Sequence, residues 1–312
     1  MSRFAVLTDP SFARHDTGPR HPESPARNAA VRQALAPITA QAVRIKQRIA
    51  SEDEIALCHS REYIARAKHD IASGLRELST GDTHVSKASW EVATEAVGGV
   101  LGAVDLVCGH EADTAFCAVR PPGHHATPTR GMGFCVFNNI AIGARYAQKK
   151  HGVARVLIVD WDVHHGNGTQ DIFYQDGSVM FVSTHQHPWY PGSGLHTEKG
   201  EGKGAGRILN FPFPAGSGRA EILEQAFEQH LVKAADEFRP DLIMISAGFD
   251  SREGDPLGRF VLTDSDFADL TTLLRTLAAK YSGGRIVSVL EGGYSLTGLA
   301  SGVAAHVAAL SR

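Results

Sequence analysis

An α/β fold, with a mostly parallel sheet flanked by helices, is predicted by three observations. Short apolar runs alternate with amphipathic helical patterns along nearly the whole chain. The runs are rich in β-branched residues and almost continuously apolar, as strands buried on both faces must be. No stretch rich in Pro, Gly or Ser cuts the 312 residues in two, so one domain over 1–312 is expected.

AVLT (5–8) reads as the first strand. TAFCAV (114–119), RVLIVD (155–160), VMFVST (179–184), LIMISA (242–247) and RIVSVL (285–290) follow, each bounded by Gly, Asp or Pro. One helix is predicted from about Asn138 to His151, with Gly152 as its stop. Another runs from about Arg219 to Phe238, with Ile222, Leu223, Ala226, Phe227, Leu231, Ala234 and Ala235 as its apolar stripe. Residues 186–218 carry many Gly and Pro and read as an active-site loop.

The composition, 43% hydrophobic and 21% charged, is that of a soluble globular protein rather than a disordered one. A formal charge of −3 offers no basic field for nucleic acid or an anionic membrane. No run approaches the ~20 apolar residues of a membrane span. The opening MSRFAVLTDPSF lacks the apolar core and cleavage site of a signal peptide, so a cytoplasmic location is the default expectation. Four cysteines without a CxxC pair read as reduced, mostly buried thiols. The sixteen histidines are more informative, because several cluster with Asp and Gly between residues 120 and 200.

In open parallel sheets, function collects beyond the carboxyl ends of strands. Four predicted strand ends carry polar clusters flanked by Gly: 120–125, 160–165, 249–255 and 291–294. In VDWDVHHGNG (159–168) an extended chain would turn Asp160, Asp162 and His164 to one side. Asp162, His164 and Asp250, the last in SAGFDSREGDP, make a three-ligand zinc site with an open position. Alone, the DxH could equally be a helix cap and a surface histidine. A binuclear site would need a further acid where Gly166 stands, so one metal is expected, with His165 left to support the ligands from behind or to serve as a structural histidine. RPPGHHA (120–126) puts His124 and His125 on a rigid Pro-Gly turn suited to proton transfer, with Asp160 and Asn167 available to orient them. In LEGGYS (290–295), Gly292 and Gly293 allow close backbone approach, and Tyr294 can donate to an oxyanion.

These stretches, with TGPRHPESPAR (17–27), GFCVFNN (133–139) and YPGSG (190–194), run in an order that resembles the arginase/deacetylase superfamily. Within it the chain is similar to class II histone-deacetylase-like amidohydrolases. The resemblance covers essentially the whole chain. It implies an eight-stranded parallel sheet and Zn²⁺ on Asp162, His164 and Asp250. It also implies His125 as general base and acid with Asn167, His124 as electrostatic partner with Asp160, and Tyr294 polarising the carbonyl. Asn167 sides with class II, where class I has Asp. The acyl-lysine tunnel would be lined by Gly133, Phe134, Tyr190, Leu257, Gly292 and Gly293. A monovalent cation, K⁺, is implied near Asp160, Asp162, His164, Ser183 and Thr184, and Arg27 matches a residue near a product channel.

The substrate implied is an acetylated lysine or a small acetylated amine, and the resemblance leaves a homo-oligomer open. Acetylpolyamine amidohydrolases and acetoin-utilisation-type deacetylases share the same catalytic set. Apolar Leu257, in GDPLG, offers no charge to a distant ammonium and favours the lysine substrate. A non-enzymatic binding module would need a lost ligand, base or tyrosine, and each of these is present.

Overall fold

The computed structural model describes residues 3–312. Eight strands form one parallel sheet: β1 (Phe4–Leu7), β2 (Val43–Arg44), β3 (Thr114–Cys117), β4 (Val156–Asp160), β5 (Val179–Gln186), β6 (Ile208–Phe213), β7 (Leu242–Ala247) and β8 (Ile286–Leu290). Their order is β2-β1-β3-β8-β7-β4-β5-β6. The four strands whose ends carry the polar clusters, β3, β8, β7 and β4, are therefore consecutive neighbours. Segments scattered over 170 residues of sequence meet at one place because of this order.

Side chains along the strands divide between two cores, one on each face. Val156 and Ile158 join the core under helices Ser89–Cys108 and Asn139–His151. Leu157, Val159 and Trp161 join the other, with Val31, Phe227, Leu270 and Leu299 from helices on the opposite face. This period-two division makes the strands read as continuously apolar. The Asn139–His151 helix is capped by the Asn138 side chain and ends at Gly152, which adopts φ +67° as a C-terminal stop requires. All four cysteines are unpaired, three of them buried.

Two expectations need correction, and one strand went unread. The segment 186–218 is not all loop, because it contains β6. This strand lies at the sheet edge, where Pro212 can be tolerated, and that proline disguised it. Strand β2 is two exposed residues and left no apolar signal. The helix over 219–238 is wound as a π-helix from Ala220 to Leu231 before becoming α-helical at Val232–Phe238. Ile222 and Phe227, like Ala226 and Leu231, are five residues apart, the spacing of π-type hydrogen bonds. Ala234 is only half-buried, while the rest of the stripe is buried.

Candidate active site

Beyond the adjacent ends of β4 and β7, Asp162, His164 and Asp250 converge. Their potential ligand atoms lie within 4.8 Å of one another. His164 Nδ1 is 3.0 Å from Asp162 Oδ1 and 3.2 Å from Asp250 Oδ2. Backbone N–H groups aim the carboxylates: Gly292 N donates to Asp162 Oδ2 at 2.8 Å and Val163 N to Asp250 Oδ1 at 2.9 Å. Asp250 Oδ2 is buried, and its neighbour His164 Nδ1 is not aligned to make a hydrogen bond to it. Burial, and then the Asp162 charge, push the Asp250 carboxyl up to about 7. Two buried carboxylates this close are suited to share a cation.

The adjacent histidines sit with ring centroids 4.0 Å apart but face different partners. His124 Nδ1 is 3.0 Å from Asp160 Oδ2, and its Nε2 is 3.8 Å from Asp162 Oδ2. Burial opposes its charge, but Asp162 and Asp160 outweigh burial and raise the His124 pKa well above the ordinary value. His125 Nδ1 is 2.8 Å from Asn167 Oδ1, a neutral amide. Burial, reinforced by His124, holds the His125 pKa well below its ordinary value. One imidazole is thus disposed to be charged and the other neutral. His165 lies away from the trio, between Ser193 and Gln170.

A cavity of about 260 Å³ opens onto His125, His164 and Tyr294. Its walls are Gly133, Phe134, Trp189, Tyr190 and Leu257, with Asp82 at its side. Gly133 (φ +55°) and Phe134 (φ +68°) are both left-handed, and a Cβ on Gly133 would meet His125 Cδ2 at 2.3 Å. The tight turn seats Phe134 across from Tyr294, with ring centroids 6.0 Å apart. Gly292 and Gly293, expected in the wall, are buried, Gly292 behind the carboxylates and Gly293 against Phe249 and Leu299. A Cβ on Gly292 would lie 2.1 Å from Asp250 Oδ2, and Gly293 O accepts from Arg27 Nε at 2.7 Å. Arg27 is fully buried, with its guanidinium 5.2 Å from the Tyr294 ring centre. Ser183 is the registered neighbour of Asp160, and the buried Thr184 hydroxyl has no partner.

Five residues were not read as functional from the sequence. Asp82 accepts from Gly133 N at 2.7 Å, and its carboxylate adds to the burial that pushes the Tyr190 hydroxyl pKa up. Trp189 Nε1 donates to Leu257 O at 2.9 Å and so ties down the GDPLG loop. Within that loop, Asp255 Oδ2 accepts from the backbone N of Tyr294 and Ser295 at 2.7 and 3.0 Å. Glu291, also in LEGGYS, takes N–H bonds from Gly123 and His124 at 2.7 and 3.1 Å. Glu23, in the HPE stretch, is fully buried between Arg27 and Arg120. Burial alone would raise its pKa, but Arg120 and Arg27 hold it down to about 2. Three of the five, Glu23, Asp255 and Glu291, stand inside motifs already singled out, and their acidic character in an apolar setting was the available signal.

Residues 21–310 match the histone deacetylase domain. The chain belongs to the histone deacetylase family. It is 42% identical over 302 residues to the rice protein named Histone deacetylase 10, chloroplastic, covering 91% of this chain and 68% of that one. It is 40% identical to the human Polyamine deacetylase HDAC10, covering 86% of this chain but 41% of the human protein. The crystal structure of the HDA15 HD domain superposes with a TM-score of 0.94 at 34% identity, over 99% of this chain and 90% of that one. The family is hydrolytic, and this member is an enzyme with deacetylase activity of that family. Among the described residues no helix is long and apolar enough to cross a membrane.

Proposed function

We propose that the chain hydrolyses the amide of an acetylated lysine side chain, with one zinc ion held by Asp162, His164 and Asp250. The observation that carries the reading is the contrast between the two histidines, one backed by a carboxylate and one by an amide, beside the trio. The residues fit the metal: two buried carboxylates, one imidazole and an unpartnered carboxylate oxygen match the donors of a catalytic zinc site. When bound, zinc supplies the Lewis acid that polarises a carbonyl and acidifies water.

The chain's own residues divide the remaining work. Asn167 Oδ1 can only accept, so His125 carries its hydrogen on Nδ1 and leaves Nε2 free to take a proton in the cavity. The same nitrogen then returns that proton to the leaving amine. His124, held by Asp160, places positive charge beside the reacting centre. The Tyr294 phenol lines the cavity and donates to the oxygen that gains charge. Asp255 and Arg27 hold its backbone in place from either side. Phe134, Tyr190 and Leu257 pack the aliphatic stem. The buried, unpartnered Thr184 hydroxyl supports a monovalent cation, proposed as K⁺, near Asp160, Asp162, His164 and Ser183.

A second reading, deacetylation of polyamines, is favoured by one observation: Asp82 at the cavity gives a cationic tail a carboxylate that Leu257 does not. The test is a comparison of kcat/KM for acetyl-lysine peptides, N-acetylputrescine and N⁸-acetylspermidine on zinc-loaded protein. Preference for the peptides is expected, and preference for the polyamines would overturn the lysine reading. Chelation should abolish both activities and zinc should restore them. Full turnover by rigorously metal-free protein would sink the metal assignment.

A further inference from the structure

Beside the catalytic cavity runs a second, larger groove of about 680 Å³. Its walls come from three segments, Asp16–Pro22, Gly74–Arg76 and His84–Lys87. It adjoins the active site through His21, whose ring packs edge-on against Phe134 of the cavity wall at 4.7 Å. His84, whose ring lies tilted against His21 at 4.8 Å, stands two residues from Asp82.

The charge of this groove is opposite to that of the chain. The whole protein carries 34 acidic and 31 basic residues. The groove is lined by Arg20, Arg76 and Lys87 against a single acid, Asp16. All three cations are exposed, and among the described residues none has an acidic partner within 4 Å. The Asp16 carboxylate is itself occupied by Gly18 N at 2.9 Å. Arg20 stands at φ +64°, a left-handed conformation that an arginine side chain disfavours. Leu75 adds an apolar rim that is 45% exposed.

We propose that this groove binds the polypeptide flanking the acetylated lysine and selects acidic flanking residues. The proposal rests on the acetyl-lysine reading above and names the substrate class within it. A chain advances at most about 3.3–3.6 Å per residue, so residues within a few positions of a lysine seated in the cavity reach the groove. Carboxylates there meet three unpaired cations, and Leu75 receives an apolar side chain. Such contacts act mostly on capture of the substrate, through KM and the rate of encounter, and weaken as salt rises.

The test uses zinc-loaded protein and acetyl-lysine peptides of one length, flanked on either side by Glu or by Lys. Each exposed ion pair contributes modestly, so three together should favour the acidic flank by roughly tenfold in kcat/KM at low salt. The preference should fall toward unity in the triple variant Arg20→Gln, Arg76→Gln, Lys87→Gln. That variant should hydrolyse an acetyl-lysine amide without flanking residues at the wild-type rate, which shows that it is folded and loaded. Equal rates on both flanks, or a preference that survives the triple substitution, would overturn the proposal. Should the enzyme hydrolyse no acetyl-lysine compound at all, the functional reading fails. The groove is then judged by fluorescence anisotropy of the Glu-flanked, unacetylated peptide, where wild type must bind more tightly than the triple variant. A single-stranded oligonucleotide that binds more tightly still, and is weakened by the same substitutions, would reassign the groove to nucleic acid.

Discussion

Glu291 provides a sharp check on how the histidine turn is held. Its carboxylate is fully buried and accepts from Gly123 N, His124 N and the Ser246 hydroxyl, at 2.7, 3.1 and 3.3 Å. Truncation in Glu291→Ala leaves those donors buried without an acceptor. Each such donor costs about 1–3 kcal/mol, and the cavity left behind adds to this. The expected loss is about 3–5 kcal/mol, or a Tm lower by about 5–8 °C. The turn also aims His124 and His125, and a displacement of ~1 Å at a catalytic group can cost ~10²-fold in rate. Glu291→Gln should recover most of both losses, since its oxygen can serve the two backbone donors while its amide faces Ser246. Burial, joined by the Asp160 charge, pushes the Glu291 carboxyl up to about 7, so a neutral side chain is a close substitute. The assays are thermal unfolding and steady-state kinetics on an acetyl-lysine amide. An alanine variant with wild-type Tm and kcat/KM, or a glutamine variant as damaged as alanine, would refute the hydrogen-bond account.

Three further outcomes are expected. His125→Ala should lower kcat by about 10²–10⁴-fold with zinc content, measured by elemental analysis, unchanged; an unaltered kcat would transfer the base role to His124. Leu257→Glu should raise kcat/KM for N⁸-acetylspermidine relative to an acetyl-lysine peptide, and Asp82→Asn should lower it; no shift in either variant would remove these residues from substrate choice. His306 is buried between Thr271 and Ser288 amid Phe116, Trp161 and Phe249, and burial lowers its pKa to about 3. As pH falls the unfolded chain is protonated first, near 6.5. This share of stability is therefore complete above about 6.5 and is lost toward 3, at up to ~1.4 kcal/mol per pH unit. His306→Gln should make the loss of Tm between pH 6.5 and 4.5 shallower than in wild type, and parallel curves would contradict this.

The central strands were legible because burial on both faces writes itself as apolar, β-branched runs. Strands β2 and β6 were not, because at the edges one partner and partial solvent replace that constraint. The placement of His124, His125, Asp162, His164 and Asp250 at strand ends was legible from chemistry that packing does not require. The residues that hold them were harder to read. Asp255 and Glu291 bond to backbone N–H groups, and such bonds depend on chain path rather than on a partner residue type. Asp82 reaches the cavity from a loop 43 residues before His125, and nothing local marks it.

The glycines show how a correct local signal can point to the wrong neighbour. Gly292 and Gly293 were read as allowing close approach, and the approach is real, but carboxylates come near Gly292 while Phe249 and Leu299 come near Gly293. A Cβ on Gly292 would stand 2.1 Å from Asp250 Oδ2 and 2.6 Å from Asp162 Oδ2. Gly166 repeats the pattern on the other side of the site. A Cβ there would lie 2.2 Å from Asp160 Oδ2, the oxygen that His124 faces. An acid at position 166, the residue a second metal would call for, therefore competes for the space that Asp160 needs to hold His124. The bare glycine at 166 thus keeps open the space in which Asp160 faces His124.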